Sequence, residues 1–173
     1  KRLSFKPHLI LCGGAPPISL MLFPLINHAR SLFPQIPVSI LSNGTLIDHS
    51  SALTLKQLKP MTIQISLDGA NAVTHEKVRG TGTFSKTKRA VSILVSAGIK
   101  VQLLSVLSKN NASEIGEFFG LAKSWGVESM NFTRLIVNGA AEDLVREQMD
   151  RPLRPLELKA AYESILEHSA RSG

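Results

Sequence analysis

Residues 64–69, QISLDG, close a mostly apolar segment that begins at Met61. The segment has the length and composition of a buried β-strand, and Ser66, Asp68 and Gly69 fall where that strand would end and a helix-bearing segment would begin. In parallel α/β folds, ligands bind at the carboxyl ends of the strands and in the loops that follow them. The sequence therefore predicts that any chemistry gathers around this strand end.

Apolar strand-like segments alternate with amphipathic helical segments on both sides of QISLDG. The short connections favour a parallel sheet with right-handed crossovers, and runs such as LILC and VSIL predict strands covered on both faces. Periodicity alone does not separate a doubly wound sheet from an open barrel. The predicted strands are residues 7–12, 37–41, 61–67, 99–107 and 127–136. The predicted helices are one ending near Phe33, a short one carrying Leu53, Leu55 and Leu58, and two over about 85–96 and 113–125.

The sequence changes character after Ile136. Residues 138–155, NGAAEDLVREQMDRPLRP, are charged and contain proline, which predicts a surface loop or a short helix. Pro155 then opens an amphipathic helix. We therefore predict a core domain over residues 1–140, and a surface connection with a terminal helix over residues 141–173. The apolar face of that helix is predicted to carry Leu158, Tyr162, Ile165 and Leu166.

Length and composition predict one soluble, cytoplasmic domain. The chain has 173 residues, of which 43% are hydrophobic and 19% charged. Its opening, KRLSFKPHLILC, is basic and then apolar, but Gly13, Gly14, Pro16 and Pro17 interrupt the apolar run and argue against a signal peptide. No apolar run approaches the roughly 20 residues of a membrane-spanning helix, so a membrane partner is not expected.

Two further classes of partner find little support in the sequence. Cys12 is the only cysteine, its apolar strand predicts a buried thiol, and the five histidines are too dispersed for a zinc site, so no metal ligands are predicted. The net charge is +7, yet the basic group Lys86, Lys88 and Arg89 has no interleaved aromatic side chains. A solvated basic face is favoured over a nucleic-acid partner.

Four short motifs each follow a predicted strand: GGAPP at 13–17, SNGT at 42–45, SLDG at 66–69 and NFTRL at 131–135. Each alone fits an ordinary turn, but in a parallel fold all four converge on one face. Taken in order over residues 7–140, they resemble the radical S-adenosylmethionine (SAM) enzymes. The likeness is strongest to the branch with peptide-maturing, sulfatase-maturing and haem-modifying members.

The resemblance implies a partial (βα) TIM-like barrel of parallel strands that lacks its first strand. In the family, a 4Fe-4S cluster cleaves SAM to a 5′-deoxyadenosyl radical, which abstracts a hydrogen from the substrate. The resemblance places the methionine amino group at Gly13, Gly14, Ala15 and Pro16, the ribose at Ser66 with Asp68 shaping the turn, and the adenine along Thr133 and Leu135. Asn43 matches the asparagine after the preceding strand, Arg89 is the expected partner of the SAM carboxylate, and Arg79 is a second candidate.

Two departures from the family pattern bear on activity. The three-cysteine motif that holds the cluster is absent, and we expect it in a segment upstream of Lys1. Ala15 stands where the family has an acid. The sequence therefore leaves two functions open: a fragment of a radical SAM oxidoreductase acting on a peptide or cofactor precursor, or a degenerate, non-catalytic barrel that binds a peptide or partner. A basic nucleic-acid-binding domain is a third and weaker alternative.

Overall fold

A computed structural model describes residues 7–12, 21–147 and 149–172. The predicted motif GGAPP, with Gly13, Gly14, Ala15 and Pro16, lies outside the described residues. The strands are β1 (Leu9–Cys12), β2 (Val38–Ser42), β3 (Thr62–Ser66), β4 (Val101–Leu107) and β5 (Ser129–Arg134). The helices are α1 (Leu22–Leu32), α2 (His49–Gln57), α3 (Ala72–Arg79), α4 (Thr83–Ser96), α5 (Ile115–Trp125), α6 (Ala140–Arg146) and α7 (Pro155–Ser172), and a 3-10 turn, Ala112–Glu114, precedes α5.

The strands form one parallel sheet in the order β1-β2-β3-β4-β5. Because each strand is added on the same side of the one before it, right-handed crossovers place their helices on one face of the sheet. A doubly wound sheet would instead reverse its strand order and carry helices on both faces. The sequential order therefore settles the alternative that periodicity left open, in favour of an open, partial (βα) barrel.

The helix-covered face of the sheet holds the core. Along β4, buried and half-buried residues alternate strictly, as expected for a strand covered on one side only. The prediction of strands covered on both faces is wrong for LILC in β1, where half-buried and exposed residues alternate, whereas in the VSIL run of β2 residues on both faces are buried. The core side chains with no exposed surface include Ile26, Ile40, Leu55, Ile63, Ile65, Leu67, Leu94, Leu103 and Phe118.

The opposite face of the sheet, called the inner face below, is more polar, and no helix of the described residues covers it. Strand register aligns Leu41 with Gln64 and Gln102, and it aligns Ser66 with Leu104 and Asn131. Ile10 and Cys12 of β1 lie on this face and are exposed, so the prediction of a buried thiol is wrong. The inner face is defined by Ile10, Cys12, Leu41, Gln64, Ser66, Gln102, Leu104, Val106, Asn131 and Thr133.

Helix α3 occupies a segment that the sequence predicts only as a polar connection. Asn71 begins it by accepting a hydrogen bond from the backbone N–H of Thr74, and Gly80 ends it at a positive φ of 90°. His75 is its one fully buried side chain, so the helix has almost no apolar face for periodicity to detect. The helix carries Arg79 back towards the end of β3.

The terminal helix α7 packs against α5. The ring of His168 stacks on Phe119 at 5.8 Å, and a Cβ at Gly116 would come within 2.7 Å of His168 Nε2. Ala161 is buried against this contact, whereas Tyr162 and Leu166 are 45% and 70% exposed, so the predicted apolar face is rotated from the observed one. Leu53 of α2 is likewise exposed, and Ala52 takes its expected place in the core. Within the described residues, the structure contains no helix that could cross a membrane.

Candidate functional site

Asp68 joins the ends of β3 and β4. The residue is only 4% exposed. Its Oδ2 accepts a hydrogen bond from Arg79 Nε at 2.5 Å, and its Oδ1 accepts one from the backbone N–H of Val106 at 2.9 Å. A buried carboxylate needs such compensation. Asp68 is therefore occupied by protein groups, and it fixes the position of the Arg79 guanidinium.

Arg79 remains able to bind an anion while it is held by Asp68. Its side chain is 33% exposed, and its two Nη atoms donate to no group among the described residues. Nε, by contrast, is committed to Asp68. The two Nη atoms can together donate a pair of hydrogen bonds to a carboxylate or a phosphate. Arg79 can thus present an oriented positive charge at the strand ends.

Buried amide and carboxylate side chains stabilise the turn that follows Asp68. Asn111, which is 1% exposed, donates to the carbonyl oxygens of Asp68 and Val106 at 3.0 and 2.9 Å. Glu114 Oε2 accepts from the backbone N–H of Ala70 at 2.7 Å, and its Oε1 accepts from the side chains of Asn71 and Thr74. These contacts link the loop after β3 to the loop after β4 and make the site rigid.

His75 packs beneath the same turn as a neutral side chain. Its Nδ1 accepts a hydrogen bond from the backbone N–H of Asp68 at 3.1 Å, so the ring proton lies on Nε2. Nε2 is buried and has no hydrogen-bond partner among the described residues, and the ring meets Phe84 edge-on at 5.8 Å. Burial lowers the pKa of His75 below its usual value, Arg79 adds to this effect, and the charges of Asp68 and Glu76 oppose it.

Gly69 lets α3 approach the end of β3. A Cβ at this position would lie 2.2 Å from the backbone nitrogen of His75 and 2.7 Å from the carbonyl carbon of Thr74. No other residue fits without moving the helix. The glycine of the SLDG motif therefore serves close packing, and it keeps Arg79 near Asp68.

A cavity of about 260 Å³ opens beside Arg79, at the carboxyl ends of β3, β4 and β5. It contains one cation, Arg79, and two carboxylates, Asp68 and Asp150. Asp68 is paired with Arg79. Asp150 also lines the cavity, but it forms no salt bridge with a described cation. The remaining lining residues are Val78, Val106, Ser108, Asn111, Leu135 and Ala141.

Five of the predicted site residues lie at or just after the carboxyl ends of the strands. Ser66 and Thr133 lie on the inner face, Leu135 lines the cavity, and Asp68 sits between them. Asn43 follows β2, where its Oδ1 accepts from the backbone N–H and hydroxyl of Thr45, the closing contacts of a turn. Ser66 is half-buried, and its hydroxyl makes no hydrogen bond to any described residue.

Arg89 is not among the residues that line the cavity beside Arg79. Helix α4 begins at Thr83, two residues before the predicted start, which places Arg89 in its second turn. Thr87 is buried, with its hydroxyl donating to the carbonyl oxygen of Asn43, and this contact fixes the rotation of the helix. Arg89 lies on the opposite side and is exposed.

The sequence analysis named Arg79 only as the second candidate for the SAM carboxylate, and it did not identify Asp150. The pair Asn71 and Gly80, a helix cap and a helix stop, was the signal that could have placed Arg79 on a helix returning to the site. Asp150 carries no local signal, because its position depends on contacts with a loop 40 residues earlier in the chain.

The residues present do not fit an iron-sulfur cluster. A 4Fe-4S cluster is held by cysteine thiolates, and Cys12 is the only cysteine in the sequence. Within residues 7–12, 21–147 and 149–172, no three His, Cys, Asp or Glu side chains are grouped so that they could hold a metal ion. At the same strand ends, the Arg79 guanidinium and the Ser66 hydroxyl are groups that can bind the carboxylate and hydroxyl groups of a small molecule.

Comparison with known proteins finds one family and several curated relatives. The Radical SAM superfamily matches residues 1–122. The AdoMet-dependent heme synthase of Methanosarcina barkeri is 31% identical over 139 residues, which cover 80% of this chain and 39% of that protein. The mycofactocin maturase MftC of Mycobacterium tuberculosis H37Rv is 32% identical over 133 residues, 76% of this chain and 33% of that protein. The chain thus spans about a third to two fifths of these relatives.

Solved structures share the fold at low sequence identity. Streptococcus suis SuiB bound to S-adenosylmethionine superposes with a TM-score of 0.74 at 16% identity, over 94% of this chain and 36% of that one. The structure of anSMEcpe with bound AdoMet and the Kp18Cys peptide gives a TM-score of 0.61 at 23% identity, over 75% of this chain and 38% of that one. Both place the partial barrel within larger proteins.

Proposed function

This chain belongs to the radical SAM superfamily, and from that premise we propose that it forms the SAM-binding wall of a radical SAM oxidoreductase. Members of the superfamily use SAM and a 4Fe-4S cluster. The cluster supplies the electron that cleaves SAM, and its thiolate ligands would come from outside these 173 residues, since the chain has one cysteine. The task of this chain is to bind and orient SAM.

Arg79 carries the proposal. It is a cation held in place by a buried carboxylate, it keeps two Nη donors free, and it lines a cavity at the strand ends. The methionine carboxylate of SAM would accept from these two donors. We therefore assign the carboxylate to Arg79 and not to Arg89, whose exposed side chain lies on the far side of α4.

The other groups of SAM have matching partners along the inner face. The free hydroxyl of Ser66 would bond the ribose, and Asn43 would flank it from the end of β2. Thr133 and Leu135 would lie along the adenine. The half-buried side chain of Leu135 and the outer edge of β5 would form the slot for the ring. In the sequence, Gly13, Gly14 and Pro16 match the motif that meets the methionine amino group, and Ala15 leaves that group without a charged partner.

We propose a peptide or a cofactor precursor as the substrate of the whole protein. The relatives named as mycofactocin maturases and heme synthases support these two classes, and anSMEcpe and SuiB were solved with peptides bound. No helix of the described residues covers the inner face, which opens beside the proposed SAM site. A substrate would therefore have access to the 5′ carbon of bound SAM.

Titration of SAM into the 173-residue chain by isothermal calorimetry tests the proposal. Arg79→Gln should weaken binding by about ten-fold to a hundred-fold, the range expected for losing charge-assisted hydrogen bonds. Arg89→Gln is the matched control, since it removes an equal charge from the other side of α4 and should change the affinity less than two-fold. Ser66→Ala should weaken binding by a smaller factor.

Two outcomes would count against the assignment. Equal losses in Arg79→Gln and Arg89→Gln would mean that the loss of affinity does not come from a contact specific to Arg79. Wild-type binding that Arg79→Gln leaves unchanged would place the carboxylate elsewhere.

A non-catalytic barrel that binds a peptide or partner is the second candidate. The single cysteine and Ala15 favour it, because both remove groups that the family uses for chemistry. The two candidates differ in the intact protein. A catalytic parent forms 5′-deoxyadenosine when given SAM and a reductant under anaerobic conditions, whereas a non-catalytic one does not.

A further inference from the structure

Asp150 is a buried acid that the SAM site does not use. It lies in the connection between α6 and α7, is 8% exposed, and lines the same cavity as Arg79. No motif of the sequence predicts it. Backbone N–H groups hold one oxygen of its carboxylate, and the other oxygen has no hydrogen-bond partner among the described residues.

The two oxygens of Asp150 have different surroundings. Oδ1 accepts from the backbone N–H groups of Asn110 and Arg151, at 3.2 and 2.8 Å. Oδ2 accepts from no described residue, yet it is not among the buried polar atoms that lack a partner, so it is open to the cavity. Asp150 therefore presents one oriented carboxylate oxygen to whatever enters.

The segment that carries Asp150 is held firmly against the loop after β4. The backbone N–H of Lys109 donates to the carbonyl oxygen of Arg151 at 3.0 Å, and Asn110 Nδ2 donates to the carbonyl oxygen of Met149 at 2.8 Å. These bonds flank Asp150 on both sides. The acid is thus preorganised and loses little freedom when it binds.

The nearby cations have other partners. Arg151 gives both Nη atoms to Glu157 at 2.7 Å, and Lys77 Nζ donates to Asn110 Oδ1 at 3.1 Å. Arg79 is oriented by Asp68. The Arg151 guanidinium also interacts electrostatically with Asp150, and Arg79 lines the same cavity. None of these cations donates a side-chain hydrogen bond to Asp150, so its Oδ2 remains available to a donor of a ligand.

We propose that Asp150 binds a primary ammonium group of the substrate, of the kind a lysine side chain carries. A single free oxygen suits the point charge of an ammonium, whereas a guanidinium would need two oxygens for its fork. A propionate or a phosphate placed next to Oδ2 would be repelled by the same carboxylate, whereas Arg79 is assigned to the carboxylate of SAM. This inference rests on the proposed function, because the substrate would share the cavity with the carboxylate end of SAM.

Binding of small lysine analogues tests the proposal without requiring catalysis. The ¹⁵N-labelled chain is titrated with Nα-acetyl-lysine amide and, separately, with Nα-acetyl-norleucine amide, which has an apolar side chain without the charge. Amide shifts of Ser108, Ala141 and Asp150 report binding in the cavity. The lysine amide should shift them saturably, and the norleucine amide should bind at least ten-fold more weakly.

Asp150→Asn provides the decisive variant. Asparagine keeps the Oδ1 acceptor for Asn110 and Arg151 and removes the charge, so the fold should be retained. The lysine amide should bind about ten-fold more weakly to it, as expected for losing a charge-assisted hydrogen bond. Asp143→Asn, which changes an exposed acid on α6, should leave the affinity unchanged.

The outcomes separate this inference from the SAM assignment. Arg79→Gln should weaken SAM but not the lysine amide, and Asp150→Asn should do the reverse. If Asp150→Asn weakens SAM ten-fold, the acid serves the SAM ammonium and the inference fails. Equal binding of the lysine and norleucine amides to the wild type also overturns it, whether or not the variant folds.

Discussion

Replacing Asp68 with alanine should destabilise the protein and misplace Arg79. Asp68 is nearly buried, and its side chain accepts from both Arg79 and the backbone of Val106. Alanine leaves the Val106 N–H without its partner and frees the Arg79 guanidinium to rotate. Stability and SAM affinity should therefore fall together.

The expected loss of stability follows from these two contacts. The unsatisfied Val106 N–H costs about 1–3 kcal/mol, and a hydrogen bond to a charged group contributes about 1.5–3 kcal/mol. The second value belongs at its lower end, because the Arg79 side chain is 33% exposed and is partly solvated. The free energy of unfolding should fall by about 3 kcal/mol.

Urea unfolding followed by circular dichroism measures this loss in the wild type, Asp68→Ala, Arg79→Ala and the double variant. The double-mutant cycle should give a coupling of about 1–2 kcal/mol between the two side chains. Asp143→Ala is the control, because Asp143 and Arg146 pair at the same 2.5 Å but are 60% and 74% exposed. That change should cost less than about 0.5 kcal/mol. Equal losses in Asp68→Ala and Asp143→Ala would refute the argument from burial.

Two further changes probe the turn after β3, and a third concerns Ala15. Burial in the folded state lowers the pKa of His75 below its usual value of about 6.5, so the neutral ring contributes stability above that pH, and this contribution is lost as the pH falls below it. Urea unfolding at several pH values should show this loss, which His75→Gln should reduce and His28→Gln should not. Gly69→Ala should cost about 3 kcal/mol or more in the same assay, whereas Gly120→Ala, where a Cβ meets open space, should not destabilise. In the intact, cluster-loaded protein, Ala15→Glu should tighten SAM binding by about ten-fold to a hundred-fold in a calorimetric titration, and unchanged binding would mean that the turn is not at the ammonium.

The strands could be predicted from sequence because their apolar runs are continuous and end at turn residues. Their order in the sheet could not, since crossover direction leaves no trace in local periodicity. Helix α3 escaped detection for a related reason. It buries only His75, so its signals are the cap at Asn71 and the stop at Gly80 and not an apolar stripe.

The candidate site was predictable where it lies on strand ends and not where it depends on helix rotation. Ser66, Asp68 and Thr133 follow from the rule that parallel strands end on one edge. The exposure of Arg89 follows from the contact between Thr87 and the carbonyl of Asn43, which joins residues 44 positions apart. Asp150 depends in the same way on Asn110.

The position of SAM in a crystal structure of this chain grown with the cofactor is the most direct test of the account. We predict that the methionine carboxylate lies within hydrogen-bond distance of the Arg79 Nη atoms, with the ribose at Ser66 and the adenine along Thr133 and Leu135. SAM bound with its carboxylate away from Arg79, or bound off the inner face altogether, would contradict the central claim.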